Sequence, residues 1–293
     1  FLDEKVREPS WSPFQIAFFL LNIESIANEH SKDRTLVDLL WFPTGGGKTE
    51  AYLGLIAFNL FLERLNGLDT NRTSVIMRYT LRIITAQQFE RASKLICAME
   101  VIREENPSFL GESRFTIGIF VGGDISYNTT TQAVENLKLL KDNDRYAKNK
   151  FVISKCPWCG AEIGPNETFN IVVGLKKRNK KVVITCKERS CTFRKGLPIY
   201  VVDDEIYEFT PSLIIATVDK FARMAWRKES RKIFGFDKNG NRVSDPPSLI
   251  IQDELHLISN ALGSAVGFYE AILERMCTKN FLSDTEAVRR KII

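Results

Sequence analysis

Short apolar runs alternate along this chain with longer stretches in which apolar positions recur every three or four residues. The runs at 35–42, 74–79 and 115–121 read as strands, and each precedes a helical pattern, at 48–65, 83–105 and 131–146. Strands apolar on both pleats with helices between them predict a parallel sheet covered on both faces. The pattern breaks at about 151, where paired cysteines, short strands and a Lys-rich tip replace the long helices. It resumes with a strand at 212–217, a short helix at 219–226, a polar loop containing Asp245-Pro246-Pro247 and an apolar strand at 248–251. Helices at 263–276 and 284–290 follow, and Lys291-Ile292-Ile293 reads as the start of another strand. The expected organisation is a helical segment at 1–32, an α/β body at 33–150 and 201–293, and an inserted module at 151–200.

Composition changes this picture little. Of 293 residues, 44% are hydrophobic and 26% charged, which is ordinary for a globular protein. A net charge of +5 tolerates a polyanionic partner without requiring one. The most apolar stretch, 51–62, contains Gly54 and Asn59 and falls short of the ~20 residues that cross a bilayer, so it reads as a buried helix with no role for a membrane. Phe1 is not an initiator and no charged-then-apolar leader precedes Trp11, so the chain reads as a fragment. Six cysteines are too few for a disulfide scaffold, and four of them form two close pairs, the pattern of a metal site in a reducing compartment. Cys97 and Cys277, inside helical patterns, are expected to be buried thiols.

Candidate chemistry centres on Pro43-Thr44-Gly45-Gly46-Gly47-Lys48-Thr49. A glycine-rich turn between a buried strand and a helix aims backbone N–H groups at phosphate oxygens. Thr44, Gly45, Gly46 and Gly47 would form that cradle, Lys48 would reach the β- and γ-phosphates of ATP, and the Thr49 hydroxyl would ligate Mg²⁺. The general pattern has glycine where Phe42 stands. The other half of such a site is an acidic residue at the end of a second buried strand. Asp253-Glu254-Leu255-His256 follows Leu249-Ile250-Ile251 in that position. Asp253 would hold Mg²⁺ and Glu254 would orient and deprotonate a water. His256 either couples the nucleotide to neighbouring elements or packs between Leu255 and Leu257.

These residues resemble the DExH branch of superfamily 2 helicases, and further elements fall in the order of that family. Thr80-Leu81-Arg82-Ile83-Ile84-Thr85-Ala86-Gln87 is similar to motif Ia, Val121-Gly122-Gly123 to the glycine pair that comes next, and Thr217-Val218-Asp219-Lys220-Phe221 to the threonine motif after it. Trp11-Ser12-Pro13-Phe14-Gln15 looks like a Q-motif. Each is weak alone: a glycine pair is commonly a plain turn, and Pro13 also suits the first turn of a helix. The resemblance implies a RecA-like P-loop NTPase fold with ATP and Mg²⁺ as cofactors. It also implies one nucleic-acid strand, DNA more than RNA, lying along Thr80, Arg82, Gly122, Gly123, Thr217 and Lys220, with adenine read by Gln15. More narrowly, the stretches from Trp41 to Tyr52, Met77 to Arg82 and Ile251 to Ile258 resemble the helicase subunit of DISARM bacterial antiphage defence systems. That resemblance implies a bacterial cytoplasmic motor acting beside a DUF1998-containing subunit, with a second RecA-like domain in the full-length chain beyond the truncation before motif III.

Cys156-Pro157-Trp158-Cys159-Gly160 has the form of a zinc knuckle, and Cys186 and Cys191 supply a second, more loosely spaced pair. Four thiolates predict a structural, zinc-ribbon-like Zn²⁺ site with no open position for substrate, with an iron–sulfur cluster or unliganded thiols as the alternatives. Strands at 170–175 and 181–185 are expected to form a hairpin joined by 176–180, and five of the six residues from Lys176 to Lys181 are basic. That tip either touches phosphate or is simply a solvated turn. The leading expectation is an ATP-hydrolysing helicase or translocase motor half. Two rivals share its residues: a nucleotide-switched DNA-binding or assembly module using the zinc hairpin, and a duplex translocase that does not separate strands.

Overall fold

The computed structural model describes residues 10–41, 46–68, 71–80, 82–166, 168–222, 227–258, 260–278 and 290–293. In chain order the elements are α1 (Pro13–Ala27), α2 (Lys48–Leu65), β1 (Val75–Tyr79), α3 (Arg82–Glu105), α4 (Pro107–Leu110), β2 (Ile117–Phe120) and α5 (Thr130–Lys141). Then come β3 (Gly164–Asn166), β4 (Ile171–Val173), β5 (Leu175–Arg178), β6 (Lys181–Ile184), β7 (Ile199–Tyr200), α6 (Asp203–Phe209), β8 (Leu213–Thr217), α7 (Val218–Ala222), β9 (Leu249–Gln252), α8 (Asn260–Cys277) and β10 (Lys291–Ile292).

Six strands form one sheet in the order β10-β9-β1-β8-β2-β7, and every pairing in it is parallel. Alternation along the strands divides the core in two, as a sheet buried on both faces requires. Val75, Met77, Tyr79, Ile117, Ile119, Leu213, Ile215, Leu249 and Ile251 face one cluster with α1, α2 and α3. Ile76, Phe120, Ile214, Ala216 and Ile250 face the other, with residues of α6, α7 and α8. Local signals start the helices: Gln15 accepts the Ser12 N–H at 2.8 Å with Pro13 in the first turn of α1, and Thr129 and Gln132 close a full capping box at α5.

The strand expected at 35–42 survives as one parallel bridge between Val37 and Ile292; Thr35 belongs to a 3-10 turn over Lys32–Thr35, and Phe42 lies outside the described residues. β10 therefore lies between Val37 and β9, the strand that carries Asp253. The helix expected at 284–290 lies outside the described residues. Unforeseen elements are β7, at the sheet edge, and α6, whose acidic start gave no apolar period.

The segment 151–200 has no core of its own. Phe151, Ile153, Cys156, Ile184, Cys186 and Phe193 belong to the same cluster as Cys97 and Met99 of α3. A buried carboxylate strengthens that seam. Glu100 is 0% exposed; it accepts from Arg103 Nε at 2.9 Å, Arg114 Nε at 3.1 Å and the Phe115 N–H at 2.9 Å, and Arg114 also donates to the Gly196 carbonyl at 3.2 Å. The hairpin is shifted from its expected register. β4 pairs with β3 and β5 pairs with β6, so Lys176, Lys177 and Arg178 are strand residues. The turn is only Asn179-Lys180, both at positive φ (45° and 65°), the conformation of a two-residue hairpin turn.

Removing the Glu100 carboxylate leaves Arg103 buried without its partner. Glu100→Ala is expected to lower unfolding free energy in urea by about 3–5 kcal/mol, against less than about 1 kcal/mol for an exposed pair such as Lys187–Glu162.

Candidate functional site

α2 begins on Gly47, which adopts φ +88° and supplies no side-chain cap. Phe42, Pro43, Thr44 and Gly45 lie outside the described residues; Gly46, Gly47, Lys48 and Thr49 lie within them. Gln15 is 7% exposed, and both ends of its amide are engaged. Its nitrogen donates to the Gly47 carbonyl at 2.8 Å and its oxygen accepts from the Ser12 N–H at 2.8 Å. Gln15 thus ties α1 to the glycine turn. Trp11, half exposed, lies against Gly54 of α2, where a Cβ would come within 2.6 Å of the ring.

The acidic pair approaches from the end of β9. The Asp253 N–H donates to the Arg78 carbonyl at 3.0 Å, continuing the ladder with β1. Asp253 is 7% exposed. Burial holds its carboxyl above the usual range; the Glu254 N–H, which donates to Asp253 Oδ1 at 2.9 Å, opposes that rise, the Glu254 charge adds to it, and Lys48 and His256 pull it down. Lys48 and Asp253, 205 positions apart in sequence, therefore act on each other electrostatically. Burial first, then the charges of Asp253 and Glu254, also make the Tyr52 and Tyr79 phenols harder to ionise, so both tyrosines wall this site. Glu254 adopts φ +54°, strained for a residue with a side chain. Its carboxylate lies 3.3 Å from His256 Nδ1. His256 is largely exposed, with 62% of its side chain accessible, and is not packed between its leucines.

The segment around the Val37 bridge is fixed by a residue the sequence did not flag. Lys291, 1% exposed, donates from Nζ to the carbonyls of Asp33 at 2.8 Å and Leu36 at 3.1 Å and pairs with Asp38. The only signal was a lysine heading an apolar run, which does not distinguish a buried ammonium from a strand flank.

Because every strand is parallel, the loops after β1, β8, β9 and β2 share one edge of the sheet, where open α/β sheets take their ligands. Thr80, Gly122, Gly123 and Thr217 lie there with Asp253. Among the described residues, the buried Thr80 and Thr217 hydroxyls have no hydrogen-bond partner. Arg82 opens α3, and nothing of its side chain is described. Lys220 departs from expectation. It is 2% exposed, and its ammonium donates to the Val121 carbonyl at 2.7 Å, Asp203 Oδ2 at 2.6 Å and Asn128 Oδ1 at 3.5 Å. A fully desolvated lysine serving three acceptors is a strut beneath the Gly122-Gly123 turn and not a surface contact for phosphate. Lys150 holds the same turn from outside, donating to the Gly123 carbonyl at 2.7 Å. Burial raises Asp203 to about 6, with Lys220 pulling in the other direction.

In the module the four sulfurs of Cys156, Cys159, Cys186 and Cys191 lie within 4.8 Å of one another. Cys156 and Cys191 are 3.9 Å apart and Cys159 and Cys186 are 3.4 Å apart. A tetrahedron with ~2.3 Å metal–sulfur bonds needs sulfurs about 3.8 Å apart, so the cluster is compatible with Zn²⁺. Each knuckle aims an N–H inward or closes on itself: Glu188 N–H donates to Cys186 Sγ at 3.4 Å, and Gly160 N–H returns to the Cys156 carbonyl at 2.8 Å with Gly160 at φ +78°. Cys97 and Cys277 are buried, and burial pushes each thiol up to about 12. No described helix is long and apolar enough to cross a membrane.

Lys220→Met leaves Asp203 buried opposite an apolar group and is expected to cost about 3–5 kcal/mol in chemical denaturation. The double variant Lys220→Met/Asp203→Asn should recover more than half of that loss. Equal stability of the single and double variants would show that the two side chains are not coupled.

No family model matches the chain. The curated proteins include DISARM protein DrmA of Bacillus paralicheniformis, with 38% identity over 94% of this chain. The chain spans 28% of that protein's length. A parallel α/β sheet with a glycine turn facing an acidic strand end, and a four-cysteine cluster packed on the same core, is thus carried by a chain similar along nearly all its length to DISARM protein DrmA.

Proposed function

We propose that this chain is the ATP-binding half of a superfamily 2 DNA helicase or translocase that works in bacterial antiphage defence. The observation that carries the proposal is the convergence of Lys48, Asp253 and Glu254 at one edge of a parallel sheet, beside the Thr80, Gly122-Gly123 and Thr217 loops. In this reading the α2 N-terminus and Lys48 receive the β- and γ-phosphates of ATP. Thr49 and Asp253 share Mg²⁺, which when bound neutralises charge on the phosphoryl oxygens. Glu254, projected by its left-handed backbone and contacted by His256, orients the attacking water and takes its proton.

Gln15 has a double part here. Its bond to Gly47 makes the position of α1 sensitive to the state of the glycine turn, and adenine recognition would use the remaining amide hydrogen. Nucleic acid would lie along the loop edge against the backbone of the Thr80 and Gly122-Gly123 loops, with Lys220 holding the glycine turn from below; the Thr80 and Thr217 hydroxyls are buried, and Thr217, at 0% exposure, supports the edge and does not touch the strand. The reading extends to the whole protein: a second RecA-like domain in the same chain, a DUF1998-containing partner subunit and a cytoplasmic setting. Glu254 favours turnover over a pure nucleotide switch, because binding alone needs no carboxylate placed to accept a proton.

Turnover by the full-length protein, measured as phosphate release with and without single-stranded DNA, tests the proposal. Lys48→Ala and Glu254→Gln are each expected to lower the stimulated rate by at least about 100-fold. Wild-type rates in both variants with no response to DNA would overturn it.

The four thiols are assigned to structural zinc. Purified protein is expected to hold one zinc per chain by elemental analysis, and Cys159→Ser should lose most of it and lower the melting temperature of the full chain. Zinc content unchanged in that variant would remove Cys159 from the site.

A further inference from the structure

The positive charge of this chain is concentrated in one place. Residues 151–200 contain ten Lys or Arg against three Asp or Glu, whereas the other 243 residues hold 31 against 33. Within the segment the charge gathers on the β5–β6 hairpin. Lys176, Lys177, Arg178 and Lys180 are exposed, and Arg178 Nη1 donates to the Lys195 carbonyl at 2.9 Å, which brings exposed Arg194 and Lys195 beside the tip.

Edge strands often carry a lysine to block pairing with other chains, but one charge of either sign achieves that. Here the basic side chains crowd a two-residue turn. Among the described residues, Lys176, Lys177 and Lys180 have no acidic group within 4.0 Å. Lys181 alone is neutralised, by Glu208 at 2.6 Å, and it also lies 4.1 Å from the centre of the Phe209 ring. Crowded like charges raise the free energy of the isolated protein, and a polyanion relieves that cost while releasing its own counterions.

The hairpin also has a definite place in the fold. Glu208 and Phe209 end α6, and the chain turns from there into the start of β8. Asp203, at the other end of α6, meets Lys220 under the Gly122-Gly123 turn. The basic tip therefore sits at the edge where strands begin, and the loops assigned to nucleic acid sit where strands end.

We propose that the β5–β6 hairpin is a second nucleic-acid contact, separate from the loop edge, which grips the sugar-phosphate backbone through Lys176, Lys177 and Lys180 without reading sequence. It rests on the motor reading only in that both sites serve one nucleic acid. The cysteine cluster behind it gives the hairpin a rigid base, since β6 leads directly to Cys186.

The test is binding of full-length protein, without nucleotide, to a 30-base-pair duplex and a 30-nucleotide single strand by fluorescence anisotropy over a range of salt. At about 0.9 per phosphate contact on duplex, the combined variant Lys176→Glu/Lys177→Glu/Lys180→Glu should flatten the slope of log affinity against log salt by about 2–3. It should also weaken duplex binding at least about tenfold, with DNA-independent ATP hydrolysis unchanged. The triple glutamine variant keeps side-chain bulk and β pairing, and serves if the glutamate variant loses zinc or fails to fold; it should show the same flattening. Loss confined to single strand would assign the contact to unpaired DNA. Unchanged slope and affinity on both probes would overturn the proposal, including where the tip captures an acidic protein instead. Because binding is read without nucleotide, failure here leaves the Lys48 and Glu254 result standing, and failure there leaves this one.

Discussion

The candidate site depends on one constraint, the parallel ladder that holds β1 between β8 and β9. β1 is buried along its whole length, with Val75 opposite both Leu213 and Leu249. A strand pinned on two sides cannot slip, because a one-residue shift would exchange the apolar sets of both faces at once. That fixed register delivers the Asp253 N–H to the Arg78 carbonyl and sets Thr80 and Thr217 level with it. The chemistry is carried by loops and their placement by the ladder.

Around that frame several buried charges are gathered into small groups with their partners. Glu100 joins two arginines and a backbone N–H, Lys220 joins Asp203 and a turn, and Lys291 joins Asp38 and two carbonyls. Lys220 and Lys291 bring together segments far apart in sequence, whereas Glu100 ties α3 to the chain just before β2. Buried ionic groups contribute little net stability, so specificity of placement is the better account of them.

Much of this was legible in the sequence where local physics dominates. Helix 48–65 follows from its apolar period, and β1 and β8 from runs apolar on both pleats, within a residue of their observed ends. The cysteine cluster followed from pair spacing. What escaped was decided by tertiary context. The strand at 35–42 gave Thr35 to a 3-10 turn and kept only the Val37 bridge to Ile292, and β5 took in Lys176, Lys177 and Arg178 because its partner β6 offers Val182 and Val183 across the ladder. Lys220 looked like a surface cation because its sequence neighbours form a helix start, while its acceptors come from β2 and α6. No local pattern encodes a partner 99 positions away.

The Lys291 clamp makes β10 and the strand of the glycine turn a single mechanical piece. The Asp38 N–H donates to the Ile292 carbonyl at 3.3 Å, and the Lys291 ammonium grips the chain from Asp33 to Asp38. Gln252 in turn donates its N–H to the Ile293 carbonyl at 2.7 Å. β10 is therefore held on both flanks, by the segment from Asp33 to Asp38 and by β9, after which Asp253 follows. Displacing that one short strand would disturb both of its neighbours, as a drawbar moves both couplings it joins.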